Sequence, residues 1–137
     1  MHCIHTNRLF SGAAVLAEFI HLVSKDARRR IVAVLTRGRS MRTLARELGI
    51  SPTAVHKYLT GKTHPSDEVV KRAIEIASYS ERREIAKIIM EDLISGVESF
   101  VEWGIENSLL KPNDLRTIED RILRAGLAII GKRIATA

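Results

Sequence analysis

The amino-acid sequence predicts an all-α protein, and three observations lead to that fold class. Apolar residues recur at intervals of three and four along most of the chain, the spacing that places side chains on one face of an α-helix. Serine, proline and glycine stand where these apolar patterns begin and end, as helix caps do. Apolar residues make up 45% of the 137 residues, enough for a core. No uncharged apolar run reaches the roughly 18 residues of a membrane span, so we expect no membrane partner.

The N-terminal residues suggest neither a metal site nor a secretion signal. His2, Cys3 and His5 are close together, but one cysteine and two histidines at a chain end are more typical of incidental residues than of a metal clip. A single cysteine excludes a disulfide within the chain, and Arg8 with Ser11-Gly12 interrupts any apolar signal segment. We therefore expect a cytoplasmic protein that uses no metal or other cofactor.

Two helices are predicted before residue 40. The first belongs to an N-terminal segment of residues 1–24 and begins at Ser11-Gly12. Its apolar face is formed by Val15, Leu16, Phe19, Ile20 and Val23. The second spans residues 25–37, between an N-cap at Ser24 and a stop at Gly38. Its inward residues are predicted to be Ile31, Val34 and Leu35, and its outward residues Arg28, Arg29 and Arg30.

Residues 40–61 predict two short helices joined by a tight turn. The first begins at the N-cap Ser40, and Gly49 follows where a helix would end in the left-handed region. Ser51-Pro52 supplies an N-cap and a first-turn proline for the second helix. The apolar residues are Leu44, Ala45 and Leu48 in the first helix and Val55, Tyr58 and Leu59 in the second.

The second of these helices has a polar face opposite its apolar one. The spacing i, i+3, i+4 and i+7 places Thr53, His56, Lys57 and Thr60 on that face. Small polar, imidazole and cationic side chains can reach the base edges and phosphates of DNA. Together with Ser51 at the start of the helix, these residues are our candidates for contacting bases.

The turn and the buried positions of this stretch carry a family resemblance. The residues concerned are Ala45, Gly49, Ile50, Val55 and Tyr58, followed by Gly61 and Pro65-Ser66 in the next loop. They resemble the helix-turn-helix of the lambda-repressor-like (Cro/Xre-type) family. That motif has a small residue where the two helices cross closely and a glycine where φ is positive. The resemblance covers about residues 25–95 and implies a five-helix DNA-binding domain of a prokaryotic or archaeal transcriptional regulator. The alternative is an ordinary helical hairpin, which requires neither this turn chemistry nor an uncovered polar face.

Positive charge is concentrated in the part of the chain that holds this motif. Residues 1–72 contain 13 Lys and Arg against 5 Asp and Glu, a net charge of +8, whereas residues 73–137 contain 9 against 11, a net charge of −2. Eleven of the cations lie close together: Arg28, Arg29, Arg30, Arg37, Arg39, Arg42, Arg46, Lys57, Lys62, Lys71 and Arg72. Such bunching is typical of a surface that follows DNA phosphates, and a generically basic surface is the alternative. Our candidates for binding phosphates flank the motif: Arg42, Arg46, Lys62 and Thr63.

Two more helices complete the expected domain. Ser66-Asp67-Glu68 begins the first of them, with acids at its positive end. The next helix begins either at Ser78, which forms a capping-box pattern with Glu81, or at Ser80. The adjacent acids Glu91-Asp92 point to different sides of this helix and fit a solvated surface better than shared acid/base chemistry.

Residues 96–137 exceed what the family domain needs, and we assign them to dimerisation. Ser95-Gly96 indicates either a new helix or a bend in a long one, and Lys111-Pro112-Asn113 is a stop and a restart. The last helix carries an apolar seam able to face another helix: Leu115, Ile118, Ile122, Ala125 and Ile129. This seam favours a homodimer, and an intrachain lid is the alternative. Trp103-Gly104 fits packing better than a small-molecule pocket, because no convergent polar residues accompany it.

These patterns predict a sequence-specific regulator that binds double-stranded DNA as a homodimer, with any small-molecule effector unknown. The alternative is an adaptor that bridges transcription components and has only non-specific affinity for DNA. We expect no enzymatic activity, because the chain lacks a phosphate-cradling glycine motif, a nucleophile elbow and paired metal ligands. The absence of Gln, with only three Asn, points in the direction of a thermophile.

Overall fold

The computed structural model describes residue 16 and residues 18–135, without the side chains at 128, 129 and 132–135. Helical residues 18–20 precede six longer helices: α1 Lys25–Thr36, α2 Met41–Leu48, α3 Pro52–Leu59, α4 Asp67–Ile76, α5 Tyr79–Glu106 and α6 Pro112–Ala135. No strand occurs in this part of the chain, and the all-α prediction is confirmed. None of the described helices is long and apolar enough to cross a membrane. The predicted helix start at Ser11-Gly12 and the His2, Cys3 and His5 group lie outside the described residues.

Four serines begin the four helices α1 to α4, as the sequence predicted. The side-chain oxygens of Ser24, Ser40, Ser51 and Ser66 each accept a hydrogen bond from the backbone N–H three residues later, at 3.1 to 3.3 Å. Each such cap contributes about 1 kcal/mol, because it satisfies an N–H group that has no partner within the helix.

Helix α5 begins with a reciprocal capping box. The Ser78 N–H donates to Glu81 Oε2 at 2.7 Å, and the Glu81 N–H donates to Ser78 Oγ at 3.2 Å, so Ser78 rather than Ser80 is the cap. The helix then runs without interruption through Ser95-Gly96 to Glu106. The sequence left open whether a new helix begins at Ser95-Gly96 or a long helix continues there, and the structure has one long helix.

The chain divides into two compact units, Met1–Ile94 and Ser95–Ala137. The buried core belongs to the first unit, where apolar side chains from helices α1 to α5 and from the residues before α1 pack together. Its members are Ile20, Val23, Ala27, Ile31, Val32, Val34, Leu35, Leu44, Ala45, Leu48, Val55, Val69, Val70, Ala73, Ala77, Ile85, Ile88 and Ile89. Burial of this apolar surface is the main force holding the helices of this unit in place.

Arg28 is part of this interior, which contradicts its predicted place on the DNA-facing surface. Only 7% of the residue is exposed. Its guanidinium donates to the carbonyls of Ile20 at 2.8 Å, Val23 at 2.9 Å and Pro65 at 3.1 Å, and to Asp67 Oδ1 at 2.6 Å. A guanidinium presents five donors in one plane. This one side chain can therefore satisfy acceptors from the residues before α1, from the loop before α4 and from α4 itself. The hydrogen bond from Arg28 keeps the pKa of Asp67 below its ordinary value.

Arg39, also predicted to face DNA, is tied down in the same unit. Its guanidinium lies 2.7 Å from both Glu47 Oε2 and Glu81 Oε1, and it donates to the carbonyls of Leu35 at 3.3 Å and Ile76 at 3.0 Å. The hydrogen bond between Arg39 and Glu81 lowers the pKa of Glu81 and raises the pKa of Arg39. Arg39 therefore joins α1, α2, α4 and α5, and it is not free to contact a phosphate.

Asp92 corrects a smaller expectation. Instead of being only solvated, its carboxylate accepts hydrogen bonds from the backbone N–H of Ser24 at 2.8 Å and from the Ser24 hydroxyl. The acid thus anchors the residue that caps α1 to the side of α5. Long-range pairing of this kind cannot be read from residues that are 68 positions apart in the sequence.

The second unit consists of the end of α5, a tight connection and α6. The N–H groups of Leu109 and Leu110 both donate to the carbonyl of Gly104, at 2.8 and 3.1 Å. A Cβ at Gly104 would collide with the side chain of Leu110, so the close packing of these two residues depends on glycine or on movement of Leu110. Trp103, which we expected to be packed, is instead about half exposed and stacks on Phe100 with 6.0 Å between ring centroids.

Candidate nucleic-acid interface

The turn between α2 and α3 has the geometry that its residues predicted. Gly49 adopts φ 71° and ψ 30°, in the left-handed region, and the N–H of Ile50 donates to the carbonyl of Ala45 at 2.9 Å. Any other residue at this φ would cost about 1 kcal/mol or more, because its Cβ would crowd the backbone. Ala45 and Val55 are buried where α2 and α3 pack. The turn therefore sets the direction of α3 relative to α2.

Helix α3 has a buried side and an exposed side. Val55 is buried, and Tyr58 and Leu59 are half-buried against the core. All five predicted base-contacting residues are exposed: Ser51, Thr53, His56, Lys57 and Thr60. The half-burial of Tyr58 beside the core agrees with a packing role for this tyrosine.

The five exposed residues differ in how free their side chains are. Ser51 Oγ accepts the capping bond from Ala54, and Thr60 Oγ1 donates to the carbonyl of His56 at 2.9 Å. Thr53, His56 and Lys57 make no side-chain hydrogen bond or ion pair with a described residue. These three residues, near the start and in the middle of α3, are therefore the ones best able to exchange their water contacts for contacts with bases.

The predicted phosphate-binding residues are also on the surface. Arg42 and Arg46 are exposed and four residues apart, so they share one face of α2. Lys62 and Thr63 are exposed in the loop that follows α3, and both of their N–H groups donate to the carbonyl of Lys57, at 2.9 and 3.3 Å. This loop thus folds back on the last turn of α3 and continues its exposed side.

Ion pairing divides the eleven clustered cations into two groups. Seven are paired with acids: Arg28 with Asp67, Arg29 with Asp26, Arg30 with Glu91, Arg37 with Glu84, Arg39 with Glu47 and Glu81, Lys71 with Glu68, and Arg72 with Glu75. The remaining four are Arg42, Arg46, Lys57 and Lys62, and none of them pairs with an acid among the described residues.

The reason for this division lies in the placement of acids. Residues 40–62 contain a single acid, Glu47, and Arg39 occupies its carboxylate. The acids of α1, α4 and α5, by contrast, lie next to the cations of those helices. The prediction that all eleven cations form one DNA-facing surface is therefore wrong for Arg28 and Arg39, which are largely covered. The members of this cluster that have no acid partner among the described residues lie on α2, α3 and the loop after α3.

The described residues hold no group of three or more His, Cys, Asp or Glu side chains arranged to bind a metal ion.

Comparison with known protein families gives a match. A family model described as helix-turn-helix matches residues 33–80, which run from the end of α1 to the start of α5. No curated protein and no solved structure matches the chain.

Proposed function

We propose that residues 33–80, which match the helix-turn-helix family model, are a DNA-binding domain of the Cro/C1 type, and that this protein is a transcriptional regulator that binds specific double-stranded sites as a dimer. The observation that carries the proposal is the coincidence of two features on α3 and its flanks. The four cations of the basic cluster that lack acid partners are Arg42, Arg46, Lys57 and Lys62, and the uncommitted polar side chains of α3 lie among them. A cation already paired with an acid adds little to the free energy of DNA binding. An unpaired cation that binds a phosphate releases counterions that were condensed on the DNA.

Helix α3 enters the major groove with its N-terminal end first. Thr53, His56 and Lys57 contact base edges, since a cation suits the O6 and N7 acceptors of guanine, and a threonine can place its hydroxyl or its methyl group against a base. Ser51 and Thr60 stand at the two ends of the helix, and their hydroxyls are already engaged in capping. They therefore contribute less to base selection.

Arg42 and Arg46 on α2, and Lys62 and Thr63 after α3, grip phosphates on the two sides of the groove. Phosphate contacts of this kind set the register and orientation of a protein on the duplex and carry no sequence information directly. The base-contacting residues of α3 therefore select the site, and the phosphate-binding residues of α2 and of the loop after α3 supply most of the affinity.

The second unit supports the dimeric part of the proposal, because it does not bury its own apolar residues. Of its side chains that the structure describes, none of the hydrophobic ones is buried. Large exposed members are Val97, Phe100, Trp103, Ile105, Leu109, Ile122, Leu123, Leu127 and Ile130. A compact unit that buries none of its described hydrophobic side chains is uncommon in a monomer, and apolar side chains exposed in this number are typical of an interface.

Helix α6 carries two apolar rows rather than the one predicted. In the predicted row, Leu115 and Ile118 are half-buried and Ile122 is exposed, while the side chain of Ile129 lies outside the described residues. A second row consists of Leu123, Leu127 and Ile130, spaced by four and three.

A helix in the corner of a four-helix bundle needs two such rows, one for each neighbour. We infer that the α5 and α6 segments of two copies form a bundle of this kind. Two recognition helices held about one DNA turn, roughly 34 Å, apart would then demand a palindromic site.

Selection from a pool of random duplexes tests the proposed function. Recovery of a palindromic motif is expected, with two copies of the chain bound for each site. An adaptor with only non-specific DNA affinity would enrich no motif, and that result would refute the regulator.

Replacement of Lys57 or His56 by Ala should weaken binding to the selected site by about 1 to 3 kcal/mol and relax the preference at one or two base positions. The reason is that each side chain would lose a base contact that a methyl group cannot make. The measurement is the affinity for the selected site and for each of its single-base variants. Lys87→Ala is a matched control, since Lys87 is an exposed lysine of α5 without a described acid partner. Variants at 56 and 57 that bind as tightly and selectively as the parent would show that this face does not contact bases.

Joint replacement of Arg42 and Arg46 by Ala should lower the salt dependence of binding without changing the preferred sequence. Each lost phosphate contact reduces the slope of log K against log salt by about 0.9, so the expected reduction is about 1.8. The control is joint replacement of Arg30 and Arg37, which removes the same formal charge from cations that already pair with Glu91 and Glu84. Equal slopes for the two double variants would mean that only overall charge matters and that α2 does not touch DNA.

A further inference from the structure

A cleft opens between the first turn of α1 and the loop that follows α3. Its volume is about 350 Å³, and its walls are Lys25, Asp26, Arg29, Gly61, Lys62, Thr63 and His64. Two segments that are distant in the sequence thus form one concave surface. Two of its polar side chains that can donate hydrogen bonds, those of Lys25 and His64, were not among the predicted DNA-binding residues.

The cleft has an excess of positive charge. The only acid in its walls, Asp26, is occupied by Arg29, whose Nη2 lies 2.8 Å from Asp26 Oδ1. Lys25 and Lys62 pair with no acid among the described residues. Two ammonium groups, the hydroxyl of Thr63 and the imidazole of His64 therefore surround the opening. This set of donors suits the oxygens of a phosphate group.

The position of the cleft links it to the exposed side of α3. The N–H groups of Lys62 and Thr63 donate to the carbonyl of Lys57, and Gly61 makes the turn with φ 74°. The cleft therefore begins where the exposed side of α3 ends. A DNA strand whose bases are contacted by α3 must carry its backbone past one end of that helix.

We propose that this cleft binds a phosphate of the DNA backbone, and that Lys25 at the start of α1 is a positioning residue for DNA. The inference rests on the proposed DNA-binding function and deepens it, since it adds α1 to an interface otherwise made by α2, α3 and the loop after α3. Lys62 and Lys25 hold the phosphate from opposite walls, so the strand cannot shift along the loop without losing one of them. The cleft thereby sets how the domain is seated on the duplex, and it takes no part in distinguishing bases.

The test is Lys25→Ala in the full chain, with binding to the selected duplex measured between 50 and 200 mM salt. Loss of one phosphate contact lowers the slope by about 0.9, so the fall in affinity over this fourfold salt range should be about 3.5-fold smaller than for the parent. Relative affinities for single-base variants of the site should stay unchanged. Lys25→Arg, which keeps the charge, should restore the slope, whereas a role in capping or packing α1 would not follow charge.

Three outcomes separate the cleft from the broader function. A parent that binds no duplex would refute the DNA-binding function itself. A parent that binds, with Lys25→Ala giving the same slope, would refute the cleft alone. Pyrophosphate titrated into the protein without DNA distinguishes the source of the phosphate. Binding that depends on Lys25, together with an unchanged DNA slope, would assign the cleft to a free phosphorylated ligand and overturn the proposal.

Discussion

Ile122→Glu is expected to convert the protein from a dimer to a monomer and to lower its affinity for the palindromic site by about 10²- to 10⁴-fold, the range gained by linking two binding modules. Ile122 is 63% exposed within one copy of the chain, so a carboxylate at this position should leave the fold of the monomer intact. In a bundle of two copies the same carboxylate would be buried without a partner, and that costs several kcal/mol. Binding to a single half-site should be almost unchanged.

Sedimentation at micromolar concentration, followed by titration with the full site and with a half-site, checks this prediction. Leu22→Glu is a matched control, because Leu22 is 66% exposed and belongs to the first unit. A chain ending at Ile94, which keeps the whole buried core, should behave like the Ile122 variant. A monomeric parent, or a truncated chain that still dimerises, would remove the second unit from this role.

Arg28→Met is expected to destabilise the first unit by about 3 kcal/mol, because backbone carbonyls in the interior lose their hydrogen-bond donor. Met has similar length and is apolar, so it fills much of the space, but the carbonyls of Val23 and Pro65 lose the guanidinium as donor, whereas the Ile20 carbonyl keeps its bond from the N–H of Val23. Each buried acceptor left unpaired costs about 1 to 3 kcal/mol. The midpoint of thermal unfolding should fall by more than about 10 °C.

Thermal and urea unfolding of the variant, the parent and Arg29→Met provide the measurement. Arg29 is the next residue and also pairs with an acid, but on the surface, where such a pair is worth about 1 kcal/mol at most. Because the pKa of Asp67 is lowered in the folded state, its pairing with Arg28 stabilises the fold above the ordinary carboxyl pKa and ceases to do so as the pH falls through the lowered one. The difference between parent and variant should therefore shrink in acid. Equal unfolding midpoints for the two variants would contradict the role assigned to Arg28.

The sequence by itself determined the features that depend on neighbouring residues. The serine caps at Ser24, Ser40, Ser51 and Ser66 were predicted correctly, because a cap involves residues only three positions apart. The left-handed turn at Gly49 and the exposed polar side of α3 follow from backbone sterics and helical spacing, which are equally local. The sequence also contained an overlooked signal for the burial of Arg28. This residue precedes Ile31 by three positions and Leu35 by seven, and so lies on the buried side of α1.

Only the tertiary structure decided the pairing of Arg28, Arg30, Arg37 and Arg39, because each of them meets an acid of another element. Arg37 pairs with Glu84 across 47 positions and Arg39 with Glu81 across 42, and nothing in the local sequence of either arginine distinguishes it from Arg42. The cleft between Lys25 and Lys62 likewise exists only because the packing of α1 brings its first turn next to the loop after α3. Helical spacing specifies the face on which a side chain lies. What that face meets depends on contacts between helices. In this chain such contacts pair four of the eleven clustered cations with acids on another element, three more pair with an acid on their own helix, and four around α3 pair with no acid among the described residues.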